Sequence, residues 1–522
     1  MIMKRLNIYI ILFTLITGLF LSCEDFLDTM PDNRAEINSV EKVTKLLVAA
    51  YPTNSAALIA EMSSDNTMDN GSLYSPYNQE QEDAYLWKDI TTTGNDAPKA
   101  IWDAHYGAIA AANQALDAIK EMGDPVNLQA QKGEALIARA YSHFALANLF
   151  CMPYNPETAE SDLGLPYSEK PETLVDVKYE RGTMKDLYEK INADIEAGLP
   201  LINDEIYSVP KYHFNKKASY AFAARFNLFY HKYNKTIEYA TVALGDYPDK
   251  LLTKWSKIVG LASNWTVRTD AYIADNDPAN FILMTAYSAW PYVHGPYTIG
   301  QRYGHARPIF ERESVRANGP WGVRQNLFVA NSVWGLDQKM VASKFGAYFE
   351  YTDKVAGIGF LHSVMVPFTA GETLLCRAEA YILQNNFAAG VADINSWIKG
   401  NCLPSVGTLS QEALVSFYEK VSYMPIKLNS DNNRSVKKVI NPQGFSVSEG
   451  VQENLIQAIL HIRRIENVHD GQRWYDIKRY GIEIAHNRDG IEPDVLLKND
   501  PRRAVQLPQD VINAGLQANP RN

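Results

Sequence analysis

Apolar residues recur at three- and four-residue steps over several long stretches of this chain, the spacing that gathers them on one face of a helix. Ile101 to Met122 and Leu128 to Phe150, both Ala-rich, show it most clearly. Thr183 to Leu199 predicts another helix, opened by Thr183 as N-cap and stopped by Pro200. Ala218 to Tyr230 and Lys235 to Leu244 predict a helical hairpin that turns at Lys232 to Asn234. Glu372 to Gln384 and Phe387 to Lys399 predict a second, turning at Asn385-Asn386. A first helix is expected near Val40 to Tyr51 and a late one over Val451 to Glu466.

The two hairpins resemble each other. Ala224, Tyr233, Thr236, Ala240 and Ala243 match Ala378, Phe387, Gly390, Ile394 and Trp397 at the same spacing. A small residue on the first helix admits the second, an aromatic opens that second helix, and a small residue follows three positions later. That is a tetratricopeptide-like pattern, with Trp397 departing from it. Such units stack and bury a shared core. Here a long interval separates them, so the expected fold is mainly α: an interrupted tetratricopeptide-like helical hairpin scaffold with long irregular, loop-rich insertions.

Three stretches lack the helical period. Residues 54–97 are rich in Asn, Asp, Ser and Thr and read as loop-rich surface. Residues 247–368 are rich in Gly, Pro, Asn, Trp and Tyr, and so long an irregular run suggests a functional subdomain that binds a ligand. Residues 405–450 form a further insertion. Helical hairpins are thus expected at about 101–150, 183–246, 371–400 and 451–480, inside one domain spanning 39–522.

The N-terminus reads differently. Lys4 and Arg5 precede an apolar run from Ile8 to Leu21, and Leu21-Ser22-Cys23 closes it. The run is about 14 residues where a membrane span needs roughly 20, so it predicts a lipoprotein signal peptide over 1–22. Cleavage would leave Cys23 as the lipidated first residue, followed by an acidic tether over 23–38. Several acyl chains on one cysteine make a stable anchor.

Net charge is −10, and the predicted loss of Lys4 and Arg5 takes it to −12. The chain has no basic stripe of the kind a nucleic-acid partner requires. Cys151, Cys376 and Cys402 are widely spaced and odd in number, and they read as buried free thiols.

No motif of a metalloprotease, a nucleophile elbow or a phosphate-binding loop occurs. The ten histidines show no metal-ligand spacing within a helix. Asp270, Asp275, Asn276 and Asp277 lack the Gly and distal Glu of a calcium loop. No catalytic residue, metal site or cofactor is therefore expected. Binding is left, and loop aromatics are its candidates, because their faces stack on flat or ring-shaped ligands. They are Trp87 in the first loop region, and Trp290, Tyr292, Tyr297, Tyr303, Trp321 and Trp334 in the long interval. Near the C-terminus, Arg463, Arg464, Glu466, Asp470, Arg473, Asp476, Lys478 and Arg479 alternate in sign around Trp474 and Tyr475, which predicts a partly buried ion-pair network.

Motifs along most of the chain resemble the SusD/RagB family of surface nutrient-uptake lipoproteins. Cys23-Glu24-Asp25-Phe26-Leu27-Asp28 is similar to its mature start. Arg139-Ala140-Tyr141, Leu163-Gly164-Leu165-Pro166-Tyr167 and Arg181-Gly182-Thr183 follow in the family's order. So do Arg377-Ala378-Glu379-Ala380-Tyr381 and Asp393-Ile394-Asn395. Asp470-Gly471-Gln472-Arg473-Trp474-Tyr475-Asp476-Ile477-Lys478-Arg479 is the most specific stretch. Ile462 and Asn467 depart from the pattern. The resemblance implies a non-catalytic protein, lipid-anchored to the outer membrane and facing the cell surface. It implies capture of an oligosaccharide or polysaccharide and delivery to a partner TonB-dependent, SusC-like transporter. Peptide capture, as in RagB-type members, is the alternative, and a surface hydrolase a further one.

Overall fold

Alanines lining a helix let its neighbour come close, and the long helices here are built that way. The computed structural model describes residues 37–172, 178–328, 331–334 and 338–521, with the side chains of 331–334 left aside. The predicted signal peptide, Cys23 and nearly all of the tether lie outside these residues.

After α1 (Val40–Leu47), α2 (Ala57–Ser63) and α3 (Gln79–Tyr85) comes the pair α4 (Pro98–Glu121) and α5 (Gln129–Phe150). Then follow α6 (Met184–Gly198), α7 (Lys216–Phe229) and α8 (Tyr233–Leu244). Past the long interval stand α9 (Ala370–Leu383), α10 (Phe387–Asn401), α11 (Gln411–Lys420), α12 (Val451–Glu466) and α13 (Gln472–Arg479). The predicted helices are present within a few residues of their expected ends. Thr183 is the N-cap of α6, its hydroxyl accepting from the Asp186 amide at 3.1 Å.

The two predicted hairpins, α7–α8 and α9–α10, are neighbours in space: α8 packs on α9 although 125 residues separate their ends. The scaffold is thus interrupted in sequence and continuous in structure. Small residues make this contact possible. A Cβ on Gly390 would stand 2.6 Å from Ile382 Cγ1, so α10 seats on α9 only with glycine there. A buried arginine on one helix grips an aspartate on the next in two places. Arg139 on α5 holds Asp194 on α6 through two bonds of 2.7 Å. Arg377 on α9 holds Asp393 on α10 at 2.9 and 2.8 Å. The planar guanidinium matches the carboxylate bidentately, which fixes helix register as well as distance.

Two expectations need correction. Residues 54–97 hold two helices, α2 and α3. All of α2 is buried, so it has no polar face and leaves no helical period to read. The 405–450 insertion contains α11, capped by Ser410. The interval 247–368 is not structureless either. It carries short helical turns and the strands β2 (Met284–Tyr287), β3 (Tyr303–Gly304), β4 (Asn331–Trp334), β5 (Lys339–Ala342), β6 (Tyr348–Asp353) and β7 (Ile358–Met365). Every pairing is antiparallel: β3 with β1 (Met68–Asp69), β2 with β7 and β7 with β6, and β4 with β5. A last hairpin joins β8 (Ile484–Arg488) to β9 (Ile491–Leu496). The three cysteines are free and buried. No helix among the described residues is long and apolar enough to cross a membrane.

Candidate functional site

A ring can stack on a ligand only if its face meets solvent, and that criterion divides the predicted aromatics. Trp290 is wholly buried, packed against Phe345. Trp321 is buried between Trp397 and His461, at 5.8 and 5.2 Å between ring centres. Tyr303 stacks on Tyr85 at 4.4 Å, and Trp87 on His486 at 4.1 Å, both inside the core. These four are structural residues: large apolar rings flanked by turn residues fill the core beneath the loops. Trp334 lies on β4, and its side chain falls outside the described residues.

Tyr292 and Tyr297 are different. Tyr292 is half-buried and Tyr297 is 39% exposed, with ring centres 5.4 Å apart. Tyr77, also 39% exposed, stands 6.3 Å from Tyr292 with its ring nearly parallel. The three rings make one aromatic strip, flanked by exposed Leu73 and Ile299. Tyr77 is missing from the sequence-level candidates. Its signal was weak: two tyrosines among turn residues in Gly71-Ser72-Leu73-Tyr74-Ser75-Pro76-Tyr77, within a segment that reads as ordinary loop.

The strip is held from below. Trp290 anchors the helical turn Trp290–His294 that carries Tyr292. Buried Asp96 fastens the start of that turn, accepting from the Ser288 hydroxyl and, at 2.8 Å, from the Ala289 amide. Burial pushes the Asp96 carboxyl up to about 6, against those two hydrogen bonds. Gly295 closes the turn where a Cβ would fall 2.2 Å from the Pro291 carbonyl oxygen. Lys339 on β5 then donates to the carbonyls of Tyr292 and Thr298 at 2.8 and 2.9 Å. Burial lowers this ammonium to about 7. On the far side, Gln81 Oε1 accepts from the Tyr77 amide at 2.6 Å, and Asn78 caps α3. The Tyr297 hydroxyl accepts from the Ala347 amide at 3.2 Å. These contacts preorganise the rings, so little freedom is lost on binding.

A deeper cleft lies elsewhere. It is about 110 Å³, lined by Tyr141, Arg225, Met284, Glu372 and Tyr475 among others, between α5, α7, α9 and α13. Ligand sites for small molecules run to roughly 300–1,000 Å³. The solvent-open tyrosine strip is the better candidate for an extended ligand. The predicted acidic group offers no calcium cage: Asp270 accepts from the Tyr348 hydroxyl, and Asp277 from the Ala279 amide.

The helical-hairpin scaffold thus carries a preorganised aromatic strip on its inserted loops. Residues 25–228 match the family model SusD-like_3, described as starch-binding associating with outer membrane. The fold is shared along nearly the whole chain with solved structures of low identity. A SusD superfamily protein from Bacteroides thetaiotaomicron is 17% identical with a TM-score of 0.63, over 92% of this chain and 98% of that one. A putative sugar binding protein from Bacteroides vulgatus is 15% identical with a TM-score of 0.64, over 93% and 99%. A SusD-like carbohydrate binding protein from the same species is 15% identical with a TM-score of 0.58, over 91% and 94%. No curated protein matches the chain. The first two fifths of the chain thus match a SusD-like family model, and the fold over nearly its whole length is that of SusD superfamily structures.

Proposed function

We propose that this protein captures a glycan at the cell surface, on Tyr77, Tyr292 and Tyr297, without altering it chemically. The observation that carries the reading is the strip itself. Three rings with centres 5.4 and 6.3 Å apart form a shallow face, and Asp96 and Lys339 hold the turn beneath it. Sugar rings present flat C–H faces that lie on such a surface. The outer-membrane association of the family, together with Cys23 after its apolar leader, supports lipid anchoring there. In this reading the helical face docks on a SusC-like TonB-dependent transporter, which takes the glycan onward.

Calorimetric titration of the soluble chain, residues 24–522, against a panel of oligosaccharides tests the proposal. Binding without product release is expected, and Tyr297→Ala should lower affinity at least about tenfold, a loss in the hot-spot range. Because Tyr297 is well exposed, its unfolding midpoint should stay nearly unchanged. Heterogeneous peptides copurifying with the chain, and no glycan bound, would replace this reading with peptide capture.

A further inference from the structure

Four chemistry-bearing side chains far apart in sequence meet inside the protein beneath the tyrosine strip. They are Glu61 on α2, His294 at the end of the Trp290–His294 turn, His305 just after β3, and His469 in the turn between α12 and α13. All four are at most 2% exposed. Glu61 Oε1 lies 3.7 Å from His469 Nδ1. One ligand atom from each of Glu61, His305 and His469 falls within 4.8 Å of the other two. The rings of His294 and His469 stack with centres 4.9 Å apart, and His305 meets His469 edge-on at 5.1 Å.

Buried polar atoms are ordinarily hydrogen-bonded. Here Glu61 Oε2, both ring nitrogens of His294, and Nδ1 of His305 and of His469 have no hydrogen-bond partner. The other atoms of the cluster are occupied in a way that aims these inward. Glu61 Oε1 accepts from the Asn66 side-chain amide and the His469 backbone amide, at 3.0 and 3.1 Å, which leaves Oε2 open. Nε2 of His305 contacts the Ser314 hydroxyl at 2.9 Å, and that hydroxyl reaches the Ile309 carbonyl at 3.4 Å. In the tautomer whose Nε2–H donates to Ser314, Nδ1 of His305 presents its lone pair, the arrangement found around metal-bound histidines. His469 is also held at φ +68°, a conformation that L-residues seldom adopt.

We propose that Glu61, His305 and His469 form a zinc site, with His294 turning in as a fourth ligand. Imidazole with carboxylate is a donor set suited to Zn²⁺ and ill suited to Ca²⁺ or Mg²⁺. In a tetrahedral site with bonds of about 2.0–2.1 Å, ligand atoms stand about 3.4 Å apart. Loading therefore contracts the cluster. It also moves a proton: the Ala342 amide, 3.4 Å from His469 Nε2, places the ring proton of metal-free His469 on Nδ1. Zinc takes that position, the proton passes to Nε2, and the ring tilts off the amide. Of the cations nearby, Arg464 is already paired with Glu313 at 3.0 Å. A metal here ties α2 and the α12–α13 turn to the segment between His294 and His305 that carries Tyr297. The site does not depend on what the tyrosines bind.

The soluble chain, stripped with chelator and incubated with Zn²⁺ alone, tests this by equilibrium dialysis with elemental analysis and by thermal unfolding. One tightly held equivalent and a raised unfolding temperature are expected. Glu61→Gln and His305→Gln should each weaken binding at least about tenfold. Zinc retained only weakly, or with equal strength by both variants, overturns the proposal. Should the variants not fold, Co²⁺ added to the unaltered chain decides. The intense visible bands of a tetrahedral site support the assignment, and their absence overturns it.

Discussion

Two clusters of buried polar side chains lie on either side of the α12–α13 turn, and they are built in opposite ways. In the first, every carboxylate is paired with at least one cation. Glu379 on α9 accepts from Arg463, from Arg479 at 2.8 Å and from the Tyr480 hydroxyl at 2.7 Å. Asp476 accepts from Arg463 at 2.8 Å. Asp65 takes two bonds from Arg473, at 2.8 and 3.0 Å. Glu313 receives Arg464, Arg434 and Lys438. Among its cations, Arg463 Nε and two nitrogens of Arg479 lack acceptors, and the Arg479 guanidinium lies 4.4 Å over the Phe229 ring. In the second cluster, of Glu61 and three histidines, five atoms have no partner. Ion pairing across elements marks the first cluster as a device that locks helices together. Openness marks the second as a place where something else can bind.

The contrast can be broken first at Glu379. Glu379→Gln removes the anion shared by Arg463 and Arg479 and leaves buried cations uncompensated. The expected cost is about 3–5 kcal/mol in denaturant-unfolding free energy. Acid should reach the same network by protonation. Burial works to raise the Glu379 and Glu313 carboxyls, but the surrounding cations outweigh it and hold both at about 2. Their folded values lie below the ordinary 4.5, so the stabilisation is present above pH 4.5 and is lost as pH falls towards 2. Asp96 works the other way: its folded value near 6 lies above the ordinary 3.8, so its contribution is lost as pH rises through 6. Urea midpoints at pH 5 and pH 3 should differ by the equivalent of a few kcal/mol, and by less in Glu379→Gln. The open cluster should respond least. His294→Leu, measured in chelator, replaces a buried ring without hydrogen bonds by an apolar side chain of similar size. It should be neutral or stabilising, by about 1 kcal/mol at most. A loss comparable to that of Glu379→Gln would erase the distinction between the clusters.

Much of the scaffold was legible because helical periodicity is local. The hairpins, the Thr183 cap and the turns at Lys232 and Asn385 follow from residues within a few positions of one another. The charged C-terminal block was legible in part. Its alternation of sign suggested a network among its own members, while the main partners proved to be Asp65, Glu313 and Glu379, from other elements. α2 escaped because a helix buried all round has no amphipathic signal. The aromatics were misjudged as a set. Trp290, Trp321, Tyr303 and Trp87 sit among turn residues as Tyr292 and Tyr297 do, yet fill the core. Residue type and loop location carry no information on which side of a loop a ring faces.

The sequence by itself determined the helical hairpins, the small residues that let them pack and the ordered motifs that resemble the SusD/RagB family. Each of these rests on short-range spacing or on a motif read in order. Tertiary structure alone decided that the two hairpins touch across a 125-residue interval. It also decided which tyrosines reach solvent, and that Glu61, His294, His305 and His469 share one buried space. The histidines show no ligand spacing along the chain, since four separate segments supply the cluster and its members stand up to 408 positions apart. Only the burial of those segments against one another, driven by apolar side chains that are not part of the cluster, brings the ring nitrogens and the carboxylate together.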